Sequence, residues 1–164
     1  FSLRDTVELL PSGTQTKIKS IESYGEAKLK VNQGENATLL LEHEVNVSRG
    51  DSLFTSSESL IATKTIKAKI CWMQENALSI GSKYLLQFGT NKSLSKVTDV
   101  SERINVTGNG SEKATSLGLN DIGIASFHLA NTIQSIPYQK NKSLGSFIII
   151  DINTNNTAGI GFIE

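Results

Sequence analysis

Apolar and polar residues alternate with a period of two along much of the chain, which is typical of half-buried β-strands. The alternation is cleanest between residues 66 and 72, where one face carries Ile66, Ala68, Ile70 and Trp72 and the other carries Lys67, Lys69 and Cys71. Lysine is costly to bury without a partner, so the second face is expected to meet water. The pattern predicts a strand with one face in a core.

The segment from Gly145 to Ile163 predicts a long hairpin that closes a domain. Phe147 to Ile152 is β-branched and aromatic, which suits a buried strand. Residues 153–156 read Asn-Thr-Asn-Asn, and asparagine tolerates the left-handed conformation that tight turns need. Thr157 to Ile163 then predicts the returning strand, in which Gly159 and Gly161 suit a bulge or a close backbone approach.

Further strands are predicted at 5–10, 15–21, 27–31, 83–88 and 94–106, and a longer strand or a strand pair at 38–47, with turns at 11–13 and 80–82. The segment 117–129 fits two patterns. Ile122, Ala125 and Leu129 lie on one helical face, whereas a strand with a phase slip is equally compatible and Gly123 disfavours the helix. About a dozen short strands with frequent turns predict an all-β sandwich or barrel.

Thr55 to Ser59 has almost no apolar content and is the best linker candidate. A domain boundary is therefore predicted near residue 60. The chain has 164 residues, which is compatible with two small domains. It begins at Phe1 without a methionine, so an excised piece of a longer protein is expected.

Composition narrows the function classes. The 16 basic and 16 acidic residues balance, so a large basic face for nucleic acid is not expected, although a local patch is compatible with the totals. Cys71 is the single cysteine, so no intrachain disulfide can form and a reducing cytoplasm is expected. No apolar run approaches the roughly 20 residues that span a bilayer. Seven Asn-x-Ser/Thr triplets suit a secreted protein, but chance in an Asn-rich chain explains them too.

Motifs for chemistry are scarce. The phosphate-binding pattern Gly-x-x-x-x-Gly-Lys-Ser/Thr does not occur, and Gly108-Asn109-Gly110 is too short a glycine signal. Glu42-His43-Glu44 places two carboxylates on one face of a predicted strand, but no third metal ligand accompanies them. His128 is predicted to be a half-buried packing residue. Arg49-Gly50-Asp51 is explained by a turn. No catalytic, cofactor-binding or metal-binding residue is therefore predicted.

One polar and aromatic cluster precedes the closing hairpin. It consists of Tyr138, Lys140, Asn141 and Lys142. Aromatic and basic residues are common in protein interfaces, which favours a contact surface for a partner. The alternative is a loop whose tyrosine covers one end of the core, and the residues do not decide between the two.

Several stretches of the chain resemble the GTPase subunit of sulfate adenylyltransferase. They are residues 7–13 (Val-Glu-Leu-Leu-Pro-Ser-Gly), 47–51, 68–73 (Ala-Lys-Ile-Cys-Trp-Met), 118–123, 137–151 (beginning Pro-Tyr-Gln-Lys-Asn-Lys) and 156–163. More distantly, the pattern is similar to the β-barrel domains of elongation factor Tu. Departures from the family pattern occur at Ile136, where an acidic residue is common, and at Lys142 and Ser143, where arginine and threonine are usual.

The resemblance implies two consecutive small antiparallel β-barrels. Residues 1–58 would form a second-domain barrel that lacks its first strands, and residues 62–164 a complete third-domain barrel of Greek-key type. The GTPase domain that holds GTP and magnesium in the family would be absent from this chain. Unpaired strand edges are then expected near residues 5–10 and 37–47, and with them self-association of the truncated chain.

The function implied by the resemblance is non-catalytic. The chain would dock the catalytic small subunit of sulfate adenylyltransferase, which makes adenosine 5′-phosphosulfate from ATP and sulfate with the help of GTP hydrolysis in the absent domain. Two other hypotheses stay open: a β-barrel adaptor of a translation-type GTPase that contacts tRNA or a factor, and a secreted Asn-rich β-sandwich adhesin.

Overall fold

A computed structural model describes residues 1–55, 61–105, 108 and 110–164. Most of the predicted linker, together with Val106 and Asn109, lies outside the described residues. The chain forms two compact units, Phe1–Ser59 and Leu60–Glu164. Every regular element in the described ranges is a β-strand, so the prediction of an all-β chain is confirmed. None of these residues forms a helix that could cross a membrane.

The first unit is a sheet that does not close. Its strands follow the order β3–β2–β1–β5, with β4 paired to β2. Their bounds are β1 Thr6–Leu10, β2 Thr14–Ser23, β3 Glu26–Lys28, β4 Thr38–Leu41 and β5 Ser52–Thr55. Among these strands no pairing joins the two ends of the sheet, which confirms the expectation of an incomplete barrel.

The core of this unit is small. It consists of Val7, Ile18, Ile21 and Val31, against which Leu39, Leu41 and Leu53 pack. The chain turns after β1 at Gly13, where φ is +73°, a conformation that glycine adopts without a steric penalty. The predicted turn at residues 11–13 is thereby confirmed.

Three expectations for this unit are wrong. Strand β1 is not an edge, because it pairs with β2 on one side and with β5 on the other. The predicted strand at 27–31 is shorter, and Leu29 is 76% exposed while Val31 is buried. The long strand predicted at 38–47 ends at Leu41. In each case the strand bounds depend on pairing with segments that are distant in the sequence. Local alternation of apolar and polar residues does not predict that pairing.

The second unit is a closed barrel of six antiparallel strands. The order is β9–β12–β6–β14–β13–β8, and β8 pairs back to β9. The bounds are β6 Ile61–Trp72, β8 Lys83–Phe88, β9 Asn91–Ile104, β12 Ile122–Ser135, β13 Ser146–Asp151 and β14 Thr157–Ile163. Three short strands accompany it: β10 Ser111–Lys113 pairs with β9, and β7 Leu78–Ser79 pairs with β11 Ser116–Leu117.

Alternation along β6 predicts the two faces of the barrel correctly. Ile66, Ala68, Ile70 and Trp72 are at most 2% exposed, whereas Lys67 and Lys69 meet water. Aromatic side chains fill the interior: the ring centroids of Trp72 and Tyr84 are 5.3 Å apart, and those of Phe127 and Phe147 are 6.0 Å apart. Edge-to-face pairs of this kind add to the stabilisation from burial.

The closing hairpin forms as predicted. Asn155 in its turn has a φ of +58°, and the register of β13 and β14 shifts between Ile149 and Ile150. An added Cβ at Gly161 would lie 2.2 Å from the ring of Phe147, so this glycine makes room for the ring. The ambiguous segment is resolved as strand: β12 pairs with both β6 and β9, and its register shifts twice against β9.

Candidate partner-binding surface

The predicted contact residues lie in the loop of residues 136–145 between β12 and β13, called here the 136–145 loop. Two backbone hydrogen bonds fasten it to the end of β14. The amide of Tyr138 donates to the carbonyl of Ile163 at 2.9 Å, and the amide of Ile163 donates to the carbonyl of Gly145 at 2.8 Å. Both ends of the loop are therefore held by one residue of the barrel.

Tyr138 packs on the outside of the barrel. Its ring centroid lies 4.8 Å from that of Phe162, with the ring planes at 63°. Phe162 is opposite Lys69 in the register of β14 and β6, and Lys69 is on the exposed face, so this aromatic pair is outside the core. The tyrosine packs on an outward-facing phenylalanine and is itself half-buried.

Asn141 fixes the conformation of the 136–145 loop through hydrogen bonds. Its Oδ1 accepts hydrogen bonds from the amides of Ser143 and Leu144, each at 3.1 Å. Its backbone carbonyl accepts from the amide of Gly145 at 2.8 Å. An asparagine side chain that bonds the backbone a few residues ahead is a common way to fix a turn. The structure therefore gives Asn141 a role in loop shape, and its contact with a partner stays a prediction.

Gly145 is a residue of this site that the sequence reading missed. An added Cβ would lie 2.4 Å from the Cα and 2.5 Å from the nitrogen of Tyr138. The two backbone segments thus touch where only hydrogen fits between them. The glycine ahead of the Phe-Ile-Ile-Ile run was the available signal, but the close approach becomes apparent only when the loop folds back.

Lys140 and Lys142 are the charged residues of the loop. Both side chains are exposed, and neither is in an ion pair with any described residue. Contacts of Asn141 and Gly145 hold the loop backbone in one conformation. The two lysines therefore extend into solvent from fixed backbone positions. Exposed cations on an ordered loop can contact carboxylates of another molecule.

A second cluster of charges is already neutralised. The Arg103 guanidinium hydrogen bonds to Glu112 through Nε at 2.8 Å and lies 3.5 Å from Asp121. The hydrogen bond with Glu112, its charge and that of Asp121 raise the pKa of Arg103. Arg103 also lines an open depression together with Lys113 and Ser116. Its charge is satisfied within the chain, which leaves little attraction for an anionic ligand.

The remaining candidates do not come together as a metal site in the described part of the chain. Glu42 and His43 lie in a bend after β4, not in a strand. Within the described ranges, no group of three or more His, Cys, Asp or Glu side chains is placed to hold a metal ion. Asp51 accepts a hydrogen bond from the amide of Ser48 at 2.8 Å, as expected of a turn. His128 is exposed, so the prediction that it packs half-buried is wrong.

Comparison with known proteins identifies relatives of both units. A family model described as GTP-eEF1A C-terminal domain-like matches residues 65–164. Sulfate adenylyltransferase subunit 1 of Psychromonas ingrahamii is 33% identical over 98% of this chain and 34% of its own length. The bifunctional enzyme NodQ of Rhizobium sp. (strain N33) is 35% identical over 97% of this chain and 25% of its own length. The resemblance to the sulfate adenylyltransferase GTPase subunit is confirmed, and the chain spans about a third of that subunit's length.

Solved structures confirm the fold. A crystal structure of Sup35 complexed with GDP superimposes with a TM-score of 0.84 at 14% identity, covering 99% of this chain and 40% of that one. Translation elongation factor SelB from Methanococcus maripaludis in its apo form gives 0.77 at 19% identity, covering 100% and 36%. At these identities the likeness establishes a shared fold of β-domains and nothing about activity.

Proposed function

The chain belongs to the GTP-eEF1A C-terminal domain-like family, and from that membership we propose that it is the C-terminal β portion of a sulfate adenylyltransferase large subunit. The observation that carries the proposal is identity of about a third across 98% of the chain, which includes both units. The family model matches residues 65–164 only, whereas this identity extends over the incomplete first unit as well.

In this proposal the chain is non-catalytic and docks the small subunit that forms adenosine 5′-phosphosulfate from ATP and sulfate. GTP and magnesium would bind in a domain outside this chain, since the sequence has no phosphate-binding glycine motif. A relay of nucleotide state requires a surface whose affinity for the partner differs between two conformations. We expect this assembly in the cytoplasm.

The 136–145 loop is the first candidate for the docking surface. Its backbone is fastened to β14, so a partner would not have to order it on binding, which lowers the entropic cost of association. Tyr138 offers an amphipathic ring, and Lys140 and Lys142 offer two cations that have no ion pair among the described residues. We propose that the lysines meet carboxylates of the small subunit.

Co-elution tests the docking. The full-length large subunit is mixed with the small subunit from the same source and analysed by size-exclusion chromatography with light scattering. We expect a complex of defined stoichiometry. The variant Lys140→Glu/Lys142→Glu should weaken it, and Lys17→Glu/Lys19→Glu serves as a control with the same change in charge on exposed lysines of β2. Absence of a complex with the unmodified protein would contradict the proposed function.

A further inference from the structure

The outer surface of β8, β9 and β13 carries an apolar centre. Leu85 pairs with Leu94 on one side and with Ile150 on the other. All three point away from the core because their neighbours along the strands are buried: Tyr84 and Leu86 beside Leu85, Ser93 and Ser95 beside Leu94, and Ile149 beside Ile150. Leu94 is 44% exposed and the nearby Ile148 is 39% exposed. Four aliphatic side chains thus share one outer patch of the barrel.

Lysines border this apolar centre. Lys83 lies directly opposite Lys96 in the pairing of β8 and β9, one step along the outer face from Leu85 and Leu94. Both lysines are exposed, and Lys96 is in turn opposite the exposed His128 of β12. We call the surface formed by these side chains the β8–β9 outer face; it comprises Lys83, Leu85, Leu94, Lys96, Ile148 and Ile150.

The charge of this face is not compensated within the described part of the chain. Neither Lys83 nor Lys96 has an ion pair there. Asp99, the nearest acidic residue along β9, lies opposite Ser126 instead. Like charges directly opposite each other across two strands are destabilising. The sequence therefore keeps an unfavourable pair of lysines beside an exposed apolar patch.

An apolar centre with a charged border has the anatomy of a protein interface. Carboxylates on the partner would relieve the repulsion between the lysines, and such complementarity orients a complex. Nucleic acid is a poorer match because the face offers aliphatic side chains and no aromatic ring on which bases could stack. We propose that the β8–β9 outer face is a second contact with the catalytic small subunit, in addition to the 136–145 loop, and that it docks an apolar patch of that subunit bordered by carboxylates. This inference rests on the proposed function.

Binding measurements with charge variants test the assignment. Full-length large subunit carrying Lys83→Glu/Lys96→Glu is titrated with the small subunit, next to the unmodified protein and the Lys17→Glu/Lys19→Glu control. Reversal of two charges that face carboxylates should raise Kd on the order of tenfold or more, and the control should stay within about threefold. Leu94→Asp should also weaken binding, because it puts a charge into the apolar centre.

A single substitution separates docking from folding. Lys83→Glu turns the like-charge pair into an opposite-charge pair with Lys96, so it should raise the unfolding midpoint while it weakens binding. A variant that lost binding through misfolding would show a lower midpoint. Coupling of the unmodified complex with a carbodiimide, which condenses an amine and a carboxylate with loss of water, should link Lys83 or Lys96 to an Asp or Glu of the small subunit.

The outcomes distinguish the two proposals. If the unmodified protein binds the small subunit and the Lys83→Glu/Lys96→Glu variant binds equally well, the β8–β9 outer face does not contact the small subunit, and the proposed function stands with docking through the 136–145 loop. If the unmodified protein does not bind, both proposals fail. If these substitutions instead abolish self-association seen by light scattering, or tRNA retention on a filter, with small-subunit binding unchanged, the face serves a second copy or a nucleic acid and the inference is overturned.

Discussion

Gly145 is in contact with the backbone of Tyr138, and its replacement by alanine tests whether that contact holds the 136–145 loop. The added Cβ would lie 2.4 Å from the Cα of Tyr138 and 2.9 Å from the carbonyl oxygen of Asn141. Ordinary contact begins at 3.4 Å, so the two segments would have to separate by about 1 Å. Backbone atoms cannot rotate away as the end of a flexible side chain can.

The expected cost follows from the contacts that this separation would break. The hydrogen bonds that join Ile163 to Tyr138 and to Gly145 are worth about 1 kcal/mol each. The edge-to-face contact of Tyr138 with Phe162 adds about 1 kcal/mol. We therefore expect Gly145→Ala to lower the free energy of unfolding of the second unit by about 2–3 kcal/mol, which corresponds to a loss of roughly 10–20 °C in Tm.

Trp72 supplies the assay. It is the single tryptophan of the chain and is buried in the barrel, so its fluorescence in a urea titration reports unfolding of that unit. Gly118→Ala is the matched control, because its Cβ would meet only the Asp121 carboxylate at 3.5 Å. We expect the control to stay within about 0.5 kcal/mol of the unmodified protein. If Gly145→Ala and Gly118→Ala unfold at the same urea concentration, the steric argument is wrong.

Two further predictions concern the same barrel. The Asp151 carboxylate accepts backbone hydrogen bonds from Asn153 at 2.7 Å and Thr154 at 3.1 Å, which lower its pKa below the ordinary 3.8. Its stabilisation is present above the unfolded-state pKa and is lost as pH falls through the folded-state pKa. The unfolding midpoints of the unmodified protein and Asp151→Ala should therefore differ at neutral pH and approach each other as the pH falls below about 4; a constant difference would contradict this. Leu86→Ala removes a fully buried side chain and should cost about 2–5 kcal/mol, whereas Leu94→Ala on the exposed face should cost less than about 0.5 kcal/mol, both measured by Trp72 fluorescence.

The local pattern of apolar and polar residues was sufficient to predict many strands and turns of the barrel. Alternation along 66–72 identified the buried face of β6, because a strand that borders a core on one side must segregate its side chains by a period of two. The turn chemistry at Gly13 and Asn155 was also readable, since few residues adopt a positive φ at low cost. The resemblance to the family was recognised from short stretches such as residues 137–151. Their residue identities are shared with relatives and are not explained by the alternation of apolar and polar positions alone.

Tertiary structure decided everything that depends on partners distant in the sequence. Val31 is buried whereas Leu29, two residues earlier, is exposed. Strand β3 ends at Lys28, and beyond it the chain pairs with the N-terminal segment, where Lys30 lies opposite Ser2. The close approach of Gly145 to Tyr138 exists only after the loop folds onto β14. The opposition of Lys83 and Lys96 likewise appears only when β8 and β9 pair, since one step in register would place each lysine opposite a different neighbour.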